Sequence, residues 1–272
     1  GIDLALFSAG ASISHRFAPP AAQRGTLVID NSSAFRMDPD VPLVVPEINA
    51  AALSLHSGII ANPNCAAIIA GLAMYPLHRA DPITRAVVTT YQAASGGGAA
   101  MMEELLAGTR AYLAGEAFTP QVLSVEYAFN LFSHNTAVDP DTLYNDEETK
   151  LALETRKIFG APELPIAATC IRVPVLRAHS IALNLSFARP LSPEAARALL
   201  NAAPGVRVVD DAAANHFPTP REASGRDEVL VGRIRTDRSD PSGRSLALFV
   251  AGDQLLKGAA RNAVQIAEAL LR

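Results

Sequence analysis

Gly58-Ile59-Ile60-Ala61-Asn62-Pro63-Asn64-Cys65-Ala66-Ala67-Ile68-Ile69-Ala70 reads as a short apolar strand, a turn and the opening of a helix. Asn-Pro-Asn is poor strand sequence and good turn-to-helix sequence. A strand feeding a helix in this way is the repeating unit of a layered α/β domain. The same run sets Cys65 at a helix N-terminus, where free N–H groups and the helix dipole favour an anion. It therefore predicts a lowered thiol pKa and a nucleophilic thiolate. Free cysteines are commonly buried as small hydrophobes, and the Asn-Pro-Asn lead-in is what argues for the nucleophile.

Moving outward, strands and helices alternate through the first part of the chain. Ile2–Phe7 reads as a strand, Ser8-Ala9-Gly10-Ala11-Ser12 as a small-residue loop, and a helix follows to about Ala22. Thr26–Asp30, Leu43–Pro46 and Gly58–Ala61 read as further strands, with a loop over Asn31–Arg36. Ligands of such sheets bind beyond the carboxyl ends of the strands. After Ile83 the pattern turns α+β. A long strand over Ile83–Tyr91 leads to Gln92-Ala93-Ala94-Ser95-Gly96-Gly97-Gly98 and a helix to about Leu113, and residues 115–145 are irregular and read as surface loop or interface. Helices follow over Glu147–Phe159, Ser192–Ala202 and Leu255–Leu271, and strands over Ile166–Val173, Ile181–Ala188, Val206–Val209, Glu228–Arg235 and Ser245–Ala251.

The 272 residues carry a net charge of −4 and 49% are hydrophobic, with no stripe of basic charge for nucleic acid or an anionic membrane. The apolar run Ala66–Tyr75 is far short of the ~20 residues of a membrane span, and Pro76 closes it. Two cysteines make no disulfide framework, so a reducing, cytoplasmic setting is expected. The chain starts at Gly1 directly in a buried-strand pattern, so further N-terminal sequence is expected to precede it.

Other residues carry chemistry. Arg172 lies inside an apolar strand, where a charge is costly unless paired, and a guanidinium fork suits a carboxylate. His179 begins the next strand across a short turn and can work as acid or base; a surface hairpin with a structural arginine would read the same way. The turn Ser95–Gly98 can cradle a phosphate or be a plain flexible turn. Glu147 and Lys150 are spaced as on one helical face, a pattern ordinarily found on solvated helices. His15, His56, His78, His134 and His216 have no metal-ligand spacing, and no metal is expected.

Asn31–Arg36, Val45–Asn49, Ala61–Cys65, Tyr91–Gly96, Glu147–Lys150, Ile171–Ser180 and Gly252–Ala260 occur in this order. Together they resemble the bacterial aspartate-semialdehyde dehydrogenases across essentially the whole chain. The resemblance implies Cys65 as nucleophile, His179 as acid/base taking the hydroxyl proton, and Gln92 orienting substrate and thioester. It implies Arg172 and Glu147 as substrate contacts, and Arg36, Asn64 and Lys150 as the site of inorganic phosphate. Ser8, Ala9, Gly10, Ser95, Gly96 and Gln254 fall where the family holds NADP. The implied reaction interconverts L-aspartyl 4-phosphate and L-aspartate 4-semialdehyde through a cysteine thioester. The implied fold is α/β plus α+β, with a Rossmann-like NADP-binding domain, N-terminally incomplete, over 1–64 and 253–272. A catalytic and dimerisation domain over 65–252 would make a homodimer or dimer of dimers.

Two departures stand out. The family's first strand and Gly-rich loop, which supply the pyrophosphate contacts, are expected to precede Gly1 and are not among these 272 residues. Members of that family usually carry hydroxyl residues after the cysteine, where this chain has Ala66-Ala67. The rival readings are a reductase of a related acyl phosphate, such as the N-acetylglutamyl phosphate enzyme, and a truncated or inactive homologue acting as a dimer partner.

Overall fold

The computed structural model describes residues 1–271; Arg272, the end of the expected segment 253–272, lies outside them. Three short parallel strands form the first sheet: β1 (Leu4–Phe7), β2 (Leu27–Asp30) and β3 (Ile59–Ala61), in that spatial order. Between them run α1 (Ala11–Gln23), α2 (Pro46–Asn49) and a 3-10 turn over Ala50–Leu55. Helix α3 (Cys65–Ala80) leaves β3 across the Asn-Pro-Asn turn.

The second sheet has seven strands. β4 (Ile83–Gln92), β5 (Phe132–Ser133), β6 (Ile166–Arg172), β7 (His179–Phe187), β8 (Val206–Val208), β9 (Val229–Thr236) and β10 (Ser245–Gly252) lie in the order β5-β6-β4-β7-β10-β9-β8. Helices α4 (Ala99–Ala114), α5 (Asp146–Phe159), α6 (Pro193–Asn201) and α7 (Pro220–Ala223) connect them, and α8 (Arg261–Leu270) follows a π turn over Leu256–Ala260. α3 is buried almost all round against α5, α6 and the second sheet, which is why its sequence is apolar without a polar face. α8 returns to the first sheet, packing Ala263 and Ile266 on Ile29, Val44 and Ile60.

Three local expectations are corrected. Leu43–Pro46 is no strand beyond one bridge from Leu43 to Ala61. The Asn49 side chain accepts from Val45 N–H and donates to Leu43 C=O, taking the groups a ladder needs, and Pro46 starts α2. Pro76 does not end its helix; α3 runs through it to Ala80, its near-complete burial outweighing the lost hydrogen bond. The segment from Arg172 to His179 is no hairpin, because β4 lies between β6 and β7, parallel to one and antiparallel to the other. Among the described residues no helix is long and apolar enough to cross a membrane.

Candidate active site

Strand register brings the chemistry together. Gln92 pairs with Arg172 across β4 and β6, Tyr91 with Ser180 across β4 and β7, and Gly252 with His179 across β10 and β7. Four strand ends therefore meet at one rim. The N-terminus of α3 brings Cys65 to that rim, and α5 brings Glu147.

Asn64 caps α3: its Oδ1 accepts from Ala66 N–H at 2.8 Å and Ala67 N–H at 3.3 Å. Its Nδ2 donates to Glu147 Oε1 at 3.0 Å, and Gln92 Nε2 donates to the same oxygen at 2.9 Å. Glu147 is buried in the site and not on a solvated face. Burial alone would raise its pKa, but the His134 charge and the Gln92 and Asn64 hydrogen bonds bring it below the usual carboxylate value. Gln92 Oε1 is buried without a partner among the described residues, leaving an acceptor open to a ligand.

Cys65 is half-buried, and its thiol is pushed up to about 12, against the sequence expectation. Burial is the main cause and the Glu147 charge adds to it; Arg36, Arg172 and the Ala66 N–H oppose them without prevailing. The resting form is the thiol. Iodoacetamide labelling of Cys65 in the ligand-free chain should thus rise about tenfold per pH unit from pH 7 to 10 without levelling. Glu147→Gln, by removing a like charge, should speed it at fixed pH. A plateau near pH 8, read by peptide mass, would contradict this.

His179 is fully buried and its Nδ1 accepts the Ala93 N–H at 3.0 Å. An amide N–H can only donate, so the hydrogen of the neutral ring sits on Nε2. Nε2 has no partner among the described residues, and burial followed by the Arg172 charge lowers the pKa to about 3. The resting ring is thus a hydrogen-bond donor at Nε2. Arg172 is 4% exposed, donating from Nε to Asn135 Oδ1 at 3.1 Å and from Nη1 to Ala93 C=O at 3.2 Å, with no carboxylate within ion-pair distance among the described residues. A buried guanidinium without a counterion is matched to an anionic ligand.

Arg36 donates to Asn62 C=O and Asn31 C=O, both at 3.0 Å, and pairs with Glu154 at 3.2 Å. Lys150 is half-buried with no hydrogen bond or ion pair among the described residues, and its charge is felt at His134. Ser8, Ala9 and Gly10 are exposed at the carboxyl end of β1, apart from Cys65. Ser8 connects to the site through Ser8–Asn31 at 3.5 Å and Asn31–Asn62 at 2.6 Å, and Gly10 through Ser14 and Asp30. Both ends of Gln254 are engaged, with Ala178 N–H and the Ser95 hydroxyl.

The cradle fits a flat, anionic cofactor. A Cβ on Gly96 would come within 3.0 Å of His179 Cε1, and one on Gly258 within 3.0 Å of Cys65 Cβ, so bare backbone flanks the imidazole and the thiol. Gly10, φ 91°, is the N-cap of α1 and offers no side-chain cap, leaving the helix's first N–H groups open to an anion.

Sequence reasoning missed His134, Asn135 and Glu154. His134 is buried near Glu147 and Arg172, its pKa lowered to about 4 by burial and then the Arg172 charge. Glu154 is buried against Arg36; burial raises its pKa and Arg36 opposes. Its spacing from Glu147, two helical turns, is the signal that could have found it.

Residues 74–257 match a family described as "Semialdehyde dehydrogenase, dimerisation domain", and residues 1–56 one described as "Semialdehyde dehydrogenase, NAD binding domain". Aspartate-semialdehyde dehydrogenase of Synechocystis sp. is 54% identical over 271 residues, 100% of this chain and 79% of that protein. That of Prochlorococcus marinus is 48% identical over 270 residues, 99% of this chain and 78% of that protein. A crystal structure of aspartate semialdehyde dehydrogenase II complexed with ASA, from Vibrio cholerae, matches with a TM-score of 0.94 at 42% identity, covering 99% of this chain and 79% of that one.

Proposed function

Because the chain belongs to the aspartate-semialdehyde dehydrogenase family, we infer that it interconverts L-aspartyl 4-phosphate and L-aspartate 4-semialdehyde plus phosphate, with Cys65 as nucleophile. The reaction serves lysine, threonine and methionine biosynthesis. The observation that carries the site assignment is Arg172, a buried cation without a carboxylate partner among the described residues, beside a buried Nε2–H donor and a thiol. Arg172 takes the substrate carboxylate in a fork. Gln92 and Glu147, joined by their hydrogen bond, orient the acyl group.

In the reductive direction Cys65 Sγ bonds to the acyl carbon and the carbon–oxygen bond to phosphate breaks. The thiol proton leaves with the phosphate, which Arg36 and Lys150 receive and Asn64 helps to orient. NADPH, when bound, supplies the hydride that reduces the thioester. Ser8–Gly10, Ser95 and Gly96 are the residues that would hold it, with Gln254 bracing Ser95. His179 Nε2–H donates to the oxygen that gains charge at the former carbonyl. Collapse of that carbon–sulfur bond releases the semialdehyde and a thiolate, which takes a proton from solvent to restore the thiol.

Residues 1–64 with 253–272 serve the cofactor and 65–252 the chemistry and assembly, a division that the return of α8 to the first sheet supports. Exposed apolar side chains at Tyr112, Leu113, Phe129, Leu131 and Leu143 suit the face of a homodimer. Two free cysteines suit a reducing cytoplasm. The test is reduction of NADP⁺ by aspartate semialdehyde followed at 340 nm, which should require phosphate. Oxidation that proceeds equally without phosphate would overturn the reading.

A further inference from the structure

Helix α5 carries Glu147, Lys150, Glu154 and Lys157 at intervals of three and four, which puts them on one face. Only the first two have entered the chemistry. Glu154, 1% exposed, accepts the Asn64 N–H on Oε2 at 2.6 Å and faces Arg36 Nη1 with Oε1 at 3.2 Å. One carboxylate thus touches the backbone next to the nucleophile with one oxygen and the arginine of the phosphate site with the other. Lys157 fixes the far side, its Nζ donating to Arg36 C=O at 2.9 Å, Asp38 C=O at 2.6 Å and Val41 C=O at 2.9 Å. A guanidinium has five N–H groups. Arg36 uses one at each nitrogen on Asn62, Glu154 and Asn31, so the others are free for an anion in an orientation the protein has already set.

We propose that Glu154 is a positioning residue for the phosphate step, holding Arg36 at a fixed place relative to Cys65 by gripping the cation and the Asn64 amide at once. The proposal rests on the reading of Arg36 given above. A carboxylate needed only to satisfy the Asn64 N–H could be replaced by any acceptor; one that also orients the guanidinium could not. Glutamine keeps the acceptor and removes the charge, so Glu154→Gln separates the roles.

The experiment is steady-state oxidation of aspartate semialdehyde with NADP⁺, varying phosphate and semialdehyde in turn, on the wild type, Glu154→Gln and Glu154→Asp. Glu154→Gln should raise KM for phosphate about tenfold or more with KM for the semialdehyde unchanged. A merely structural role would shift both together or neither. If the glutamine variant fails to fold, Glu154→Asp, which keeps the charge at a shorter reach, is judged by the same split. An unchanged phosphate KM in a folded variant of a phosphate-dependent wild type overturns this proposal alone. A wild type that oxidises the semialdehyde without phosphate dependence overturns the parent reading and this proposal with it.

Discussion

Arg172→Met is expected to lower kcat/KM for aspartate semialdehyde by about a thousandfold while leaving the thermal midpoint within a few degrees of the wild type. The two halves have one cause. Among the described residues this buried cation donates to Asn135 Oδ1 and Ala93 C=O alone. Burying a charge without a counterion opposes folding, and an apolar side chain of similar length removes that opposition. Against this, the two oxygens lose their donor, about 1–3 kcal/mol each if left unsatisfied, so the effects roughly cancel. Binding has no such cancellation. Loss of the charged partner of a desolvated carboxylate costs about 2–5 kcal/mol, most of it in binding and orientation. Arg172→Lys should recover part of the rate, since it restores charge without the fork. A collapse in thermal midpoint with the methionine, comparable to that of a core cavity, would show that Arg172 serves the fold.

The same contrast between local and distant causes explains what was legible in the sequence. The turn to Cys65 was readable because Asn62-Pro63-Asn64 acts on its own neighbours: proline restricts the residue before it, and Asn64 caps the helix it precedes. The alternating elements of the first sheet were readable for the same reason. The rim was not. Arg172 and His179 are seven residues apart and look like the two sides of a hairpin, but β4 sits between them, and no local pattern encodes that insertion. His134 lies in a proline-spotted stretch that reads as surface, and becomes part of the site because Phe132–Ser133 pairs with β6 as the edge strand of the second sheet. The Cys65 thiol shows the failure most sharply. The helix N-terminus is a local signal and pointed downward, but burial and the charge of Glu147, remote in sequence, push upward and win. The roles of Arg36 and Lys150 rested on resemblance, and nothing in their own spacing would have paired Arg36 with α5.

Cys65→Ser should remove at least about four orders of magnitude from kcat, with little change in stability, since serine preserves the α3 N-terminus and its Asn64 cap. The loss comes from two steps that share one atom. Attack on the acyl phosphate needs a nucleophile strong enough to displace phosphate, and a serine hydroxyl with no base at hand is not: the His179 Nδ1 is taken by Ala93 N–H, and Nε2 already carries its hydrogen. Release of the semialdehyde then needs the same atom to leave, which a thiolate does readily and an alkoxide does not. The serine variant should still bind the semialdehyde, because Arg172, Gln92 and Glu147 are untouched, and isothermal titration should find an affinity near that of the wild type with its thiol blocked by a small alkyl group. Substantial turnover by the serine variant would mean that the hydride transfer proceeds without a covalent acyl-enzyme. The buried Nε2–H of His179 would then have to be acting on a hydrated aldehyde rather than on a sulfur-bound carbon.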